Sequence, residues 1–95
     1  MPYLYILECA DGTYYTGSTK NLKNRMRQHY DGLGCEYTRT RMPIKLVYVE
    51  EYGDISEAYG RERQIHGWTH RKKQALIEGN TFDLVRFSKK YQNDK

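Results

Sequence analysis

The segment from Tyr3 to Ser18 constrains the fold of this chain more than any other part of it. Residues 3–9 are a run of aromatic and aliphatic side chains, which is typical of a β-strand. Asp11-Gly12 then predicts a hairpin turn, because glycine accepts the positive φ that such turns require. Residues 14–18 form the returning strand, and Gly17 indicates a close approach of the backbone to a neighbouring group. The fold must therefore contain an antiparallel strand pair.

The remaining elements are indicated by capping residues at their starts and by glycines at their ends. They are a helix from Asn21 to about Tyr30, a loop over residues 31–43, a strand from Lys45 to Tyr52, a helix from Asp54 or Ser56 to about His66, and a helix from Thr69 to Glu78 that Gly79 ends. We therefore predict an α+β fold with the order β-β-α-β-α-α, in which helices flank a small, three-stranded, mostly antiparallel sheet. Residues 1–87 are expected to form one domain, and residues 88–95 a flexible polar tail.

Composition and charge narrow the function without deciding it. A chain of 95 residues has a thin core, and its ten tyrosines suit either that core or stacking on nucleic-acid bases. The net charge of +4 favours a polyanionic partner, although an unspecialised basic domain would carry the same charge. The chain has neither a long apolar run nor a signal-peptide pattern, which predicts a cytoplasmic protein with no membrane partner. Cys9 and Cys35 are then expected to be reduced thiols.

A carboxylate interrupts the apolar stripe of the second long helix. The residues expected to face inward there are Ile55, Ala58, Tyr59 and Ile65. Glu62 falls in the same stripe, and a carboxylate in apolar surroundings must be neutralised, paired or bound to a cation. The pattern leaves two interpretations open, which are a salt bridge to a nearby arginine and a metal site.

Four further side chains can join Glu62 at one edge of the sheet. Arg25 and His29 are four residues apart and share a helix face, with a solvated basic edge as the alternative interpretation. Tyr5 and Tyr15 lie on paired strands and need polar partners, unless they are ordinary amphipathic core residues. Together such groups suit phosphodiester hydrolysis: a metal neutralises the phosphate, an arginine stabilises the growing charge, and a phenol or imidazole accepts a proton from water.

These residues also carry a resemblance to a known family. Tyr3-Leu4-Tyr5, followed by Tyr15-Thr16-Gly17-Ser18-Thr19, resembles the paired motif that names the GIY-YIG nuclease superfamily. Residues 20–25 continue it with the family's helix and its arginine, and Glu62 stands where the family's metal-binding glutamate is expected. The similarity runs from about Tyr3 to Asn80 and is closest to the small stand-alone members.

The resemblance implies a role for each matched position. Glu62 would hold one Mg²⁺ or Mn²⁺ ion, and Arg25 would stabilise the phosphate. Tyr5 and Tyr15 would position or deprotonate the attacking water, and the resemblance does not say which of them is the base. His29 would assist in proton transfer or contact the phosphate.

Basic side chains outside this set are candidates for contact with a phosphate backbone, although a solvated basic face is the alternative for each one. They are Arg39, Arg41, Arg61, Arg71, Lys72 and Lys73. We predict a divalent-metal-dependent endonuclease that acts on DNA rather than RNA, in repair or processing. The alternative is a catalytically weak nucleic-acid-binding module that works with a partner protein. A zinc site is not favoured, because Gly67 separates His66 from His70 and no Cys-x-x-Cys pair is present.

Overall fold

A computed structural model describes residues 1–79, which form one antiparallel sheet with helices on both of its faces. The strands are β1 (Tyr3–Glu8), β2 (Tyr14–Thr19) and β3 (Lys45–Glu51), and the helices are α1 (Leu22–Tyr30), α2 (Glu36–Arg39), α3 (Ile55–His66) and α4 (His70–Glu78). The predicted α+β class and the order of the main elements are confirmed. Asn80, the end of the predicted domain at residue 87 and the predicted tail over residues 88–95 lie outside the described residues.

β1 is the central strand, and the strand order is β2-β1-β3. Tyr5 lies opposite Gly17 on β2 and opposite Val49 on β3. Because successive side chains of a strand point to opposite faces, Leu4 and Ile6 lie on one face of the sheet and Tyr5 lies on the other. Each face of the central strand is therefore available to a separate set of helices.

Two apolar clusters hold these helices against the sheet. The first contains Leu4, Ile6, Tyr48, Ile65 and Leu76, with Trp68 packed against it. The second contains Tyr5, Leu7, Cys9, Met26 and Ile44, with Tyr15 and Tyr37 packed against it. Helices α3 and α4 therefore cover one face of the sheet, and α1 and α2 cover the other. Within residues 1–79, every helix is too short or too polar to span a membrane.

The predicted capping residues mark where the three longer helices begin. The Asn21 side chain accepts from the backbone N–H of Asn24 at 3.0 Å, and Thr69 accepts from that of Lys72 at 3.1 Å. Of the two predicted caps of α3, Asp54 is the one that occupies the cap position, where it accepts from the Ser56 N–H at 3.3 Å. These bonds satisfy backbone donors that have no partner inside the helix.

Two details differ from the sequence prediction. The segment predicted as a loop over residues 31–43 contains α2, a single turn that is too short for apolar periodicity to reveal. Tyr59, predicted to face inward, is 54% exposed, because a helix turns 100° per residue and Ala58 already points to the core. The guanidinium of Arg63 lies 5.9 Å from the centre of the Tyr59 ring.

Candidate active site

The hydroxyl of Tyr5 is the centre of a buried hydrogen-bond network on the α1 side of the sheet. Tyr5 is 1% exposed and His29 is completely buried. The Tyr5 hydroxyl oxygen lies 2.9 Å from Nε2 of His29 and accepts the Nε–H of Arg25 at 3.3 Å. Arg25 and His29 are one helical turn apart in α1, so both side chains reach the same point on β1.

Tyr15 lies beside this network without joining the Tyr5 hydroxyl. Its ring centre is 6.4 Å from that of Tyr5 and 5.6 Å from that of His29. On the other side it packs against Tyr37, with 5.8 Å between the ring centres, and its hydroxyl neighbours the Cys35 thiol. The structure therefore gives the two tyrosines different polar surroundings.

The environment keeps both phenols protonated and the imidazole neutral at pH 7. Burial raises the pKa of Tyr5, the hydrogen bond and charge of Arg25 oppose the rise, and the charge of Glu62 adds to it. Burial and the Cys35 side chain raise the pKa of Tyr15 well above its usual value. Burial and the nearby Arg25 charge lower the pKa of His29 to about 4. His29 consequently has one ring nitrogen free to accept a proton.

Glu62 reaches the site from the opposite face of the sheet. It lies on α3, and the hydroxyl of Ser18 on β2 donates to its Oε1 at 2.6 Å. Its charge makes a minor contribution to the raised pKa of Tyr5, and within residues 1–79 its side-chain hydrogen bond is to Ser18 rather than to the tyrosine network. In residues 1–79 no lysine or arginine lies within 4.0 Å of this carboxylate, so the salt-bridge interpretation has no partner there.

Two glycines allow close approaches within the network. A Cβ added to Gly17 would lie 2.5 Å from both Cζ and the hydroxyl oxygen of Tyr5. A Cβ added to Gly34 would overlap the imidazole ring of His29. The predicted close approach at Gly17 is therefore an approach to Tyr5, and Gly34 plays the same part for His29.

The donor set around Glu62 fits one kind of metal ion and not another. Among the described residues no group of three or more His, Cys, Asp or Glu side chains is placed to hold a metal. Zn²⁺ sites need three or four protein ligands, whereas Mg²⁺ is commonly held by one or two carboxylates with water and substrate phosphate. A single carboxylate such as Glu62 therefore suits Mg²⁺ or the similar ion Mn²⁺.

Two of the six predicted nucleic-acid contacts already have acidic partners. Arg61 donates through Nε and a second guanidinium nitrogen to the two oxygens of Glu50, at 3.0 and 3.2 Å. Arg41 pairs with Asp11 at 3.1 Å, and its guanidinium carbon lies 3.8 Å from the centre of the Tyr37 ring. Both arginines thus form salt bridges with carboxylates of the same chain.

The other four lie in two separate places. Arg39 is exposed at the end of α2, whereas Arg71 and Lys72 are exposed on α4. Lys72 lies 4.4 Å from the Trp68 ring centre, and burial lowers the pKa of Lys73. Helices α2 and α4 cover opposite faces of the sheet, although Arg41 and His70, the first residue of α4, both contact the turn at Asp11-Gly12.

Sequence analysis assigned no role to Ser18 or Thr38, which contact side chains of the candidate site. Ser18 contacts Glu62, and Thr38 contacts His29 through Nδ1 at 3.0 Å. Thr38 is completely buried, and it lies in the single-turn helix α2. A buried polar residue in so short an element leaves no periodic signal, so only the three-dimensional contact identifies it.

Comparison with known proteins identifies similar sequences over most of the chain. The family model of the GIY-YIG catalytic domain matches residues 1–75. A UPF0213 protein of Haloquadratum walsbyi is 44% identical over 79 residues, which cover 83% of this chain and 89% of the relative. A UPF0213 protein of Clostridium perfringens is 42% identical over 89 residues, covering 94% of this chain and 96% of the relative.

Two solved structures are similar to this chain in both fold and sequence. The solution NMR structure of a UPF0213 protein from Bacillus halodurans has a TM-score of 0.55 and 37% identity, over 87% of this chain and 92% of that one. A protein of E. faecalis, also solved by NMR, has a TM-score of 0.55 and 31% identity, over 80% of this chain and 81% of that one. This chain therefore belongs to the GIY-YIG family, among its small single-domain UPF0213 members.

Proposed function

We propose that this protein is a divalent-metal-dependent endonuclease that hydrolyses phosphodiester bonds in nucleic acid, with DNA rather than RNA as its substrate. Membership of a nuclease family implies a nucleic-acid substrate. The observation that carries the proposal is the Tyr5 hydroxyl, held between the Nε–H of Arg25 at 3.3 Å and Nε2 of His29 at 2.9 Å. A phenol that lies between a cation and a neutral imidazole can pass its own proton to the imidazole as it accepts one from water.

The chemistry follows from that arrangement. A water molecule attacks phosphorus and gives a proton to the Tyr5 oxygen, while the phenolic proton of Tyr5 passes to Nε2 of His29. The new phosphorus–oxygen bond forms as the bond to the leaving nucleoside oxygen breaks, and that oxygen takes a proton from solvent. His29 then returns its proton to the Tyr5 oxygen, and Tyr5 releases the proton that it took from water to solvent. Arg25 stabilises the negative charge that develops on the phosphate.

Glu62 would hold the metal ion, which when bound would neutralise the scissile phosphate and stabilise the leaving oxygen. The Ser18 hydroxyl already orients one carboxylate oxygen, at 2.6 Å. Hydrogen bonds of this kind fix the direction of a ligand, and their loss weakens metal binding.

The different surroundings of the two tyrosines support Tyr5 as the base. Tyr5 has both a charged donor and a proton acceptor on its hydroxyl. Tyr15 packs on the rings of Tyr5 and His29, with its hydroxyl towards Cys35. We therefore propose that Tyr15 positions the reacting groups.

The test is cleavage of a panel of substrates in the presence of Mg²⁺ or Mn²⁺. The panel contains supercoiled plasmid, single-stranded DNA, flap DNA and RNA. Glu62→Gln is compared with Glu57→Gln, a matched control that removes the same charge from an exposed position of the same helix. We expect the wild type and Glu57→Gln to cut, and Glu62→Gln to lose metal-dependent cutting by a factor of about a hundred or more.

Two other results would contradict the proposal. If the Glu62→Gln preparation cuts like the wild type, the site at Glu62 is not responsible. If no preparation cuts any substrate but all bind nucleic acid with equal affinity, the chain is a binding module that delivers a partner protein.

A further inference from the structure

Thr38 joins the described network at the nitrogen of His29 that faces away from Tyr5. Its hydroxyl oxygen lies 3.0 Å from Nδ1 of His29 and 3.3 Å from the backbone carbonyl of Cys35, to which it donates. The Cys35 sulfur lies 3.4 Å from the same hydroxyl. His29 and Thr38 are both completely buried, so water does not compete for these contacts.

The number of protons in these groups decides which tautomer the network accommodates. The Thr38 hydroxyl has one proton, which it can donate either to the Cys35 carbonyl at 3.3 Å or to Nδ1 of His29 at 3.0 Å. When Thr38 donates to the carbonyl, its oxygen accepts from His29, which places the imidazole proton on Nδ1. Nε2 is left with its lone pair, and it accepts the proton of the Tyr5 hydroxyl.

The opposite tautomer leaves the phenolic proton of Tyr5 without a partner among the described residues. A proton on Nε2 would make the Tyr5 oxygen accept from His29 and from Arg25 at once, leaving the phenolic proton without this acceptor. Thr38 would then donate to Nδ1 instead of to the Cys35 carbonyl, which keeps the Arg39 N–H as its donor at 3.0 Å, so the cost falls on the Tyr5 proton. Unsatisfied polar groups in a buried site are costly, so the first arrangement is the stable one.

We propose that Thr38 is a positioning residue that holds neutral His29 in the Nδ1–H tautomer, so that Nε2 is available to receive the Tyr5 proton. This inference rests on the proposed function for its catalytic meaning, because the Nε2 lone pair is what the hydrolysis uses. The local backbone supports it. Gly34 has no side chain where the His29 ring lies, and α2 begins directly after Cys35, which brings Thr38 under the ring.

The experiment measures the tautomer directly. Long-range ¹⁵N–¹H correlation spectra at pH 7 show which nitrogen of the His29 ring carries the proton, without any substrate. Thr38→Val keeps the side-chain shape and removes the hydroxyl, whereas Thr38→Ser keeps the hydroxyl. Thr40→Val is the matched control, because the Thr40 hydroxyl contacts only backbone carbonyls of Glu36 and Tyr37 and an exposed nitrogen of Arg41.

We expect the Nδ1–H form in the wild type, in Thr38→Ser and in Thr40→Val, and a shift towards the Nε2–H form in Thr38→Val. In cleavage assays Thr38→Val should lower kcat about 10- to 100-fold with little change in KM, and Thr38→Ser should restore kcat. A residue that served stability alone would leave the tautomer unchanged.

The inference is overturned if Nε2 carries the proton in the wild type, or if Thr38→Val leaves the proton on Nδ1. The wild-type spectrum decides the first point even if Thr38→Val does not fold. Failure of the proposed function is a separate result, because a protein that cleaves nothing would still show its tautomer.

Discussion

At the scale of single residues, the side chains of the candidate site are closely packed against backbone glycines. The ring of Tyr5 occupies the space that a side chain at Gly17 would need, and the ring of His29 does the same at Gly34. The positions of the Tyr5 and His29 rings, the proposed catalytic groups, therefore depend on the absence of side chains at Gly17 and Gly34. The addition of a single methyl group at Gly17 or Gly34 should therefore change the cleavage activity measurably.

Replacing Gly17 by alanine tests this packing. The added Cβ would lie 2.5 Å from the Tyr5 hydroxyl oxygen, and Tyr5 is too deeply buried to move away. We expect Gly17→Ala to lower the free energy of unfolding by about 1–3 kcal/mol and to reduce cleavage strongly. Urea unfolding and the cleavage assay measure the two effects.

Gly60→Ala is the control for this substitution. Gly60 lies within α3 with nothing within 4 Å of an added Cβ. Because alanine favours helix over glycine by up to about 1 kcal/mol, Gly60→Ala should be neutral or stabilising. If both variants behave alike, the contact between Gly17 and Tyr5 is unimportant.

His29 predicts a dependence of stability on pH. Its pKa falls from 6.5 to about 4 on folding, so the unfolded chain binds the proton more readily than the folded protein. The stabilisation from the neutral, buried ring is present above pH 6.5 and is lost as the pH falls towards 4. The loss over this window should be on the order of 3 kcal/mol.

Urea unfolding between pH 7 and pH 4 measures this loss. His29→Gln should be less stable throughout but should show a flatter pH dependence across that window. His66→Gln, at an exposed position at the end of α3, should keep the wild-type slope. A wild-type slope in His29→Gln would show that other groups cause the pH dependence.

At the scale of secondary-structure elements, β3 and α3 are joined by an ion pair. Glu50 accepts hydrogen bonds from Arg61, from Tyr48 and from Tyr52. Burial alone would raise the pKa of Glu50, but these three donors bring it below its usual value. Arg61 therefore pairs with Glu50 inside the fold. Sequence analysis did not predict this pairing and placed Arg61 among the nucleic-acid contacts.

Arg61→Met should therefore destabilise the fold. It leaves the half-buried Glu50 carboxylate without its cation, and we expect a loss of about 1–3 kcal/mol. Arg63→Met, at an exposed position of the same helix, should change stability by less than about 0.5 kcal/mol. Thermal or urea unfolding separates the two, and equal stabilities would contradict a stabilising role for the ion pair.

The sequence predicts elements better than it predicts contacts between them. The cap residues Asn21 and Thr69 mark real helix starts because capping is a local interaction. The bond from Tyr5 to His29 spans 24 positions, and that from Ser18 to Glu62 spans 44, so neither follows from spacing along the chain. Resemblance to a family identified these residues as candidates. The contact of Thr38 with His29 and the pairing of Arg61 with Glu50 are visible only in the folded structure.

At the scale of the whole molecule, two exposed arginines of the described residues, Arg39 and Arg71, lie on helices that cover opposite sides of the sheet. Arg39 lies on the side that carries Tyr5 and His29, directly after Thr38 in the chain. Arg71 lies on α4, whose Leu76 packs into the cluster on the other side. A substrate that reaches the Tyr5 network from the α2 side would pass Arg39 first.

Salt dependence of binding tests that path. Arg39→Gln should reduce the slope of log K against log salt concentration by about 0.9 for duplex DNA, because one phosphate contact is lost. Arg71→Gln should leave the slope unchanged. Fluorescence anisotropy across a salt series measures both slopes, and the reverse pattern would place the nucleic acid over α4.

The central position of β1 has one more consequence, which concerns dynamics. Its amides are bonded to strands on both sides and both of its faces are covered, so amide hydrogen exchange at Tyr5 requires opening of the entire domain. The Tyr5 network then has no partly open form of its own, and heat should abolish activity and folding in one cooperative transition. Changes of substrate preference would then arise in the peripheral loops, because movement of β1, which carries the proposed base, would disrupt the core on both faces of the sheet.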